Sequence, residues 1–354
     1  MTPVRHTATR RTATALLAAT ALTLSLAACG SGGGAKPAAK NDAGELTVKI
    51  MVGGLNKQIY LPVMLAKNLG YFKAEGIDAQ LSDEPAGVDA ETAMLAGQVD
   101  AVVGFYDHTI DLQSKGKSTE SVVQLLRAPG EVEMVRTDLA GAVKSPADFK
   151  GRHLGVTGLG SSTNFLTQYL AEKNGLKPGE TTSIAVGAGS TFVAAMQNKQ
   201  IDAGMTTEPT ISLLQQKGLA QPLIDLRTAE GARAALGGTY PSSCVYLTSA
   251  YVQQNPEAVQ KLANVFVKTL KWIQAHSPAE ITEQMPADYY AGVGKDAYVK
   301  ALENEKAMYS PDGLMPSDGP QTVLNVLSAF DPTVKGHTVD LSKTYTDAFV
   351  KKAG

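Results

Sequence analysis

Cysteine is scarce: the 354 residues contain two, Cys29 and Cys244. Histidine is scarce too, and His6, His108, His153, His276 and His337 show no metal-ligand spacing with cysteines or carboxylates. There is no Gly-x-Ser-x-Gly turn, no phosphate-binding P-loop and no Cys-His pairing at a signature spacing, so the sequence offers no catalytic, cofactor or metal signature. Neither sign of charge dominates. Lys and Arg number 32 against 34 Asp and Glu, a formal net charge of −2, and this mildly acidic balance argues against nucleic acid as a partner. The apolar run from Ala13 to Leu26 is too short and too rich in Ala and Thr for a comfortable membrane span.

What the chain does have is a phrase used twice. Ala93-Met94-Leu95-Ala96-Gly97-Gln98-Val99-Asp100-Ala101 returns as Ala195-Met196-Gln197-Asn198-Lys199-Gln200-Ile201-Asp202-Ala203. Each copy reads as a helix end, a polar turn and a short buried strand. In an open α/β sheet the loop beyond such a strand faces the ligand crevice, so two copies predict two lobes with a shared cleft.

The N-terminus reads as an export signal. Arg5, Arg10 and Arg11 precede the apolar run, which ends in Leu26-Ala27-Ala28-Cys29. That ending resembles the bacterial lipoprotein lipobox, which makes Cys29 the residue that receives the lipid after cleavage. Residues 1–28 are therefore expected to be a lipoprotein signal peptide, and the Gly-, Lys- and Pro-containing stretch 29–44 a flexible tether. Loss of three arginines and no acid with the signal leaves a net charge of −5. With Cys29 lipidated, Cys244 has no disulfide partner, and the fold must hold by its core alone.

Periodicity predicts strands at 46–52, 77–81, 101–104, 122–126, 154–156, within 179–186 and at 203–205, alternating with helices. Ser145-Pro146-Ala147-Asp148-Phe149 predicts a capped single turn. After Pro256 the pattern is amphipathic helix: 256–275, 278–285, 295–308, 317–330 and 341–351. Helices without further strands are expected to pack back on the first lobe, making it discontinuous.

Leu61-Pro62-Val63-Met64-Leu65-Ala66-Lys67-Asn68-Leu69-Gly70-Tyr71-Phe72-Lys73-Ala74-Glu75-Gly76-Ile77 resembles the first helix of the substrate-binding proteins of ABC importers in the nitrate, sulfonate and taurine family. That family also includes receptors resembling thiamine-pyrimidine synthesis proteins. Supporting motifs are Ala96 to Ala101, Ser145 to Gly151, Gly160-Ser161-Ser162-Thr163, Gln200 to Ala203 and Thr207-Glu208-Pro209. The resemblance implies an α/β, two-lobed periplasmic-binding-protein fold of type II, each lobe a mixed sheet flanked by helices, with two crossover strands. Crossovers near Arg127 to Gly130 and Ser243 to Thr248 would place 45–128 and 248–354 in lobe 1 and 129–247 in lobe 2. The pyrimidine synthases resembling this fold depend on a Cys-rich motif and His residues that this chain lacks.

The helix N-terminus at Ser161, Ser162 and Thr163 suits an oxyanion, through unpaired backbone N–H groups, the helix dipole and three hydroxyls; its other reading is a helix cap. Opposite it are expected Gly54, Leu55, Lys57 and Tyr60, with Lys57 either pairing with an anionic ligand or solvated. Phe105 and Tyr106 either stack on the solute or pack in the core. Thr207 and Glu208 lie on the equivalent loop of the second lobe, where Glu208 either meets an amine or ring N–H or caps the helix after Pro209. Tyr240 and Ser242 line the cleft or form the hinge.

The expected protein is thus an extracytoplasmic, lipid-anchored receptor of an ABC importer, a monomer and not an enzyme, with no cofactor or metal. Its partners are a small-molecule solute, a permease and its ATPase subunit, and the membrane through the lipid. Small organic anions of the sulfonate or aromatic carboxylate class lead as solutes. A thiamine-precursor pyrimidine or similar nitrogen heterocycle is the alternative, and an exported enzyme or a sensor is the alternative of another class.

Overall fold

The computed structural model describes residues 37–353. Cys29, the signal segment and the first half of the tether, up to residue 36, lie outside the described residues. The first half of the chain runs β1 (Leu46–Val52), α1 (Leu61–Asn68), α2 (Tyr71–Ala74), β2 (Ile77–Asp83), α3 (Gly87–Leu95), β3 (Ala101–Phe105), α4 (Asp107–Ser114) and β4 (Thr119–Gln124). The order is then repeated with β5 (Glu131–Arg136) placed in front. It continues β6 (His153–Val156), α5 (Ser162–Lys173), β7 (Thr182–Ala185), α6 (Ser190–Gln197), β8 (Ala203–Thr207), α7 (Thr210–Gln216), β9 (Ala220–Asp225) and α8 (Ala229–Leu236).

These strands make two five-stranded mixed sheets of matching design, β2-β1-β3-β10-β4 and β7-β6-β8-β5-β9, where β10 is Ser243–Thr248. In each, three parallel strands are followed by one antiparallel strand that arrives from the other lobe, β10 in the first sheet and β5 in the second. β10 lies wholly in the first sheet, so the return crossover precedes Ser243 and the boundary expected at 247 moves upstream.

The repeated phrase explains how each sheet is tied. Asp100 accepts the Lys49 backbone N–H of β1 at 2.8 Å, and Asp202 accepts the His153 N–H of β6 at 3.1 Å. The turn before each aspartate needs a left-handed residue, supplied by Gly97 (φ 71°) in one copy and Lys199 (φ 59°) in the other. Aspartate at the foot of the strand therefore locks it to its neighbour in both lobes.

After β10 the chain is helical: α9 (Ser249–Gln254), α10 (Pro256–Ala275), α11 (Pro278–Glu283), α12 (Lys295–Glu305), α13 (Gly319–Phe330) and α14 (Pro332–Gly336). α10 starts at a proline, and its stripe of Val259, Leu262, Phe266, Leu270 and Ile273 closes the core over the first sheet. α13 behaves differently from the expectation that these helices return to the first lobe alone. Its Val323, Val326 and Leu327 share a core with Phe165, Leu166 and Leu170 of α5, so it also grips the second lobe. No helix covers 341–351 beyond single turns at Leu341–Lys343 and Val350–Lys352. The backbone between them runs along β4 instead, with the Ser121 N–H donating to Thr344 O and the Thr346 N–H donating to Ser121 O.

Candidate functional site

The carboxyl ends of β1, β3, β6 and β8 converge between the lobes, as the crevice rule for open α/β sheets requires. They line a narrow, partly open pocket of about 10 Å³, room for no more than a single water. Its walls include Lys57, Tyr60, Phe105 and His108 from the first lobe, and Glu131, Thr207 and the Ser161–Thr163 turn from the second. The lobes meet closely here because Gly158 has no side chain: a Cβ would lie 2.9 Å from Ala86 Cβ.

At the α5 turn all three hydroxyls are already engaged within the chain. Ser162 Oγ donates to Asp107 Oδ1 at 2.8 Å, Thr163 Oγ1 accepts the Thr157 N–H at 3.0 Å, and Ser161 Oγ accepts the Val88 N–H at 3.5 Å. What the turn keeps open is its backbone: the N–H groups of Ser162 and Thr163 meet no acceptor among the described residues. Two unpaired N–H groups thus stand at the positive end of a helix, an arrangement chemically suited to an anion.

Charged groups surround that turn. Lys57 Nζ donates to the carbonyls of Gly53 at 2.6 Å and Pro85 at 2.9 Å, and burial lowers its pKa to about 8 despite Glu131 nearby. Gly54, in the left-handed region at φ 119°, makes room for this chain, since a Cβ there would lie 2.5 Å from Lys57 Cε. Asp107 accepts Tyr240 Oη at 2.9 Å as well as Ser162, and burial pushes its carboxyl up. His108 Nδ1 lies 2.9 Å from Glu91 Oε2; burial opposes the charged ring, but that carboxylate holds its pKa up at about 9. Glu131 is fully desolvated, which raises it well above the ordinary carboxyl range, with Asp107 adding to the effect and Lys57 opposing it. Tyr60 and Phe105 meet edge to face at 6.5 Å and supply the apolar wall.

The structure thus brings together Lys57, Tyr60, Phe105, Ser161, Ser162, Thr163 and Thr207. Gly54 acts only through Lys57. Leu55 packs on the first core, its N–H donating to Asp83 Oδ1 at 2.7 Å. Tyr106 points away from the cleft, its hydroxyl bonded to Thr344. Tyr240 supports the site from behind through Asp107, and Ser242 Oγ donates to Ala128 O at 2.5 Å across the crossover. Glu208 corrects an expectation most sharply. Its Oε2 accepts the Ser212 N–H of α7 at 3.0 Å and its Oε1 lies 3.1 Å from Arg227 Nη1, so it is a cap and an ion-pair partner outside the cavity.

His108 and Glu131 are the ionisable wall residues that sequence reasoning passed over, beside Ile59, Gly87 and Thr157. Glu131-Val132-Glu133 alternates like a half-exposed strand, yet every residue of β5 is buried. A carboxylate at the entry of a strand just after the Pro129-Gly130 crossover was the available signal.

The comparisons agree with this geometry. Residues 58–281 match the family model described as NMT1/THI5 like. The chain belongs to the NMT1/THI5-like family. Among relatives of this family member, YtlA of Bacillus subtilis (strain 168) is 21% identical over 277 residues, 77% of this chain and 80% of YtlA. THI11 of Saccharomyces cerevisiae, named a 4-amino-5-hydroxymethyl-2-methylpyrimidine phosphate synthase, is 24% identical over 225 residues, 61% of this chain and 64% of the synthase. A solved structure from Bordetella bronchiseptica RB50 is 37% identical with a TM-score of 0.83, covering 87% of this chain and 96% of that one. The nitrate-binding protein NrtA of Synechocystis PCC 6803 superposes at 0.65 with 14% identity, covering 87% of this chain and 88% of NrtA. The alkanesulfonate-binding protein SsuA of Xanthomonas axonopodis pv. citri superposes at 0.62 with 18% identity, covering 89% and 99%. These likenesses establish the two-lobed periplasmic-binding-protein fold.

Proposed function

We propose that this chain is the extracytoplasmic solute-binding component of an ABC importer, holding a small organic anion between its lobes for delivery to a permease that a separate ATPase subunit drives. The observation that carries this reading is the convergence of strand ends from both sheets on one buried polar cleft, with the free N–H groups of Ser162 and Thr163, Lys57 and the charged His108 on its walls. A cleft that belongs to neither lobe alone couples solute binding to closure, which a permease can read. The nitrate- and alkanesulfonate-binding proteins that share the fold support the class.

In this reading one lobe comprises 45–128 and the chain from β10 onward, and the other comprises the segment between the crossovers. The protein acts as a monomer, tethered through a lipid on Cys29. Sulfonates and aromatic carboxylates are preferred to a bare ion because Ile59, Tyr60 and Phe105 give the cleft an apolar side. A nitrogen heterocycle has less support, because Glu208 is engaged by the Ser212 N–H and Arg227.

Thermal unfolding against a panel of sulfonates, nitrate, aromatic carboxylates and pyrimidines tests the proposal. A solute at a hundred times its Kd adds about 2.7 kcal/mol and raises the midpoint by a few degrees. A shift with organic anions supports it, a shift with pyrimidines alone replaces the solute class, and turnover of any of them argues for an enzyme. Labelled palmitate incorporated by the chain and lost in Cys29→Ser tests the anchor.

A further inference from the structure

Two wall groups of the cleft have hydrogen-bonding capacity that nothing in the protein uses. Glu131 opens β5 directly across from Thr207, the last residue of β8, so their side chains share one face of the sheet. Both are almost wholly buried, and neither Glu131 Oε2 nor Thr207 Oγ1 has a partner among the described residues. The neighbours that could have served Glu131 are committed elsewhere: Lys57 Nζ to two backbone carbonyls, Ser162 Oγ and Tyr240 Oη to Asp107.

The second group is His108. Glu91 fixes the ring from its Nδ1 side at 2.9 Å, while Nε2 has no partner among the described residues. Gly87 faces that nitrogen without a side chain; a Cβ would stand 2.9 Å from Nε2. Leaving buried polar atoms unpaired disfavours the folded chain, and a ligand in the cleft that completes them removes that penalty.

We propose that His108 and Glu131 form a second recognition pole in the cleft: His108 Nε2–H donates to an acceptor on the solute, and Glu131 accepts from a solute N–H or O–H. The solute is then an organic acid that also carries an amino or hydroxyl group, not a bare anion. Ionised, Glu131 only accepts and is matched by a donor on the solute; protonated, it keeps one carbonyl oxygen that accepts from such a donor beside an O–H that can donate. Glu91 is a positioning residue that fixes the imidazole. This inference rests on the receptor reading and narrows its solute class.

The test is calorimetric titration with matched pairs, aminomethanesulfonate against methanesulfonate and 3-aminobenzoate against benzoate. The amino member is expected to bind about tenfold more tightly, the worth of one hydrogen bond to a charged group. Glu131→Met, checked for folding by circular dichroism, should narrow that gap to under about threefold, Glu131→Gln, which keeps a carbonyl acceptor, should retain more of it, and His108→Phe should weaken both members of a pair. Plain acids binding as tightly as their amino partners would overturn the inference and leave the receptor reading standing. A gap that persists in folded Glu131→Met would remove Glu131 from the pole. No heat from any probe at millimolar concentration would overturn the receptor reading and the inference together.

Discussion

Asp107, at the start of α4, accepts Ser162 Oγ, at the start of α5, across 2.8 Å and between the two lobes. The positive end of α5 therefore already faces a fixed carboxylate supplied by the other lobe. With Tyr240 Oη as its second donor, Asp107 bonds one lobe, the other and the return crossover at a single point.

Removing this carboxylate separates its two effects. Asp107→Ala leaves two buried hydroxyls unpaired and should cost about 2 kcal/mol in urea unfolding. Asp107→Asn keeps an acceptor but removes the negative charge, so calorimetric titration should show anions binding several-fold more tightly.

Anion affinity should depend on pH through the cations of the cleft. Lys57 loses its proton near about 8 and His108 near about 9, so affinity falls as pH rises through that range. Glu131 and Asp83 face Lys57, and Glu91, Asp107 and Asp111 face His108. Titration at pH values on either side of the interval, with Lys57→Met as a comparison about tenfold weaker below it, checks this.

Glu133 offers a stability test away from the cleft. It is buried in β5, bonded by Thr167 Oγ1 at 2.8 Å, and desolvation raises its pKa from 4.5 to about 8. A raised carboxyl contributes stability that is complete below 4.5 and is lost as pH rises through about 8. The loss is at most about 1.4 kcal/mol per pH unit. Urea unfolding of Glu133→Gln should lack that part of the slope and exceed the parent's stability above about pH 8.

The repeated turn makes opposite predictions for its two copies. Gly97→Ala forces a side chain into the left-handed region and should cost about 1 kcal/mol, although nothing lies near its new Cβ. Lys199→Gly relieves the same conformation and should gain up to about 1 kcal/mol, reduced by loss of an exposed 2.9 Å ion pair with Asp138. Thermal unfolding midpoints moving in opposite directions would confirm the equivalence.

The repeat was legible because helix end, turn and strand are local, and Asp100 and Asp202 carry their role in their position. The α5 turn was legible for the same reason. Glu208 was not, because a carboxylate beside a helix start reads equally well as a cap or a ligand, and only the approach of Arg227 from β9's far end decides between them. Glu131 was missed because alternation of Glu and Val imitates a strand with one wet face, while the fold covers both faces of β5. The helix expected at 341–351 failed on a tertiary competitor, since the edge of β4 offered its backbone a better partner than its own next turn.

α13 has a mechanical consequence. Coming from the chain that has already returned to the first sheet, it stacks Phe330 against Phe165 of α5 at 5.9 Å and buries an apolar stripe beside it. The lobes are thus held at the two crossovers and at a greasy bearing behind them. Any parting of the lobes must therefore slide or break this apolar contact between α13 and α5 as well as the Asp107–Ser162 bond.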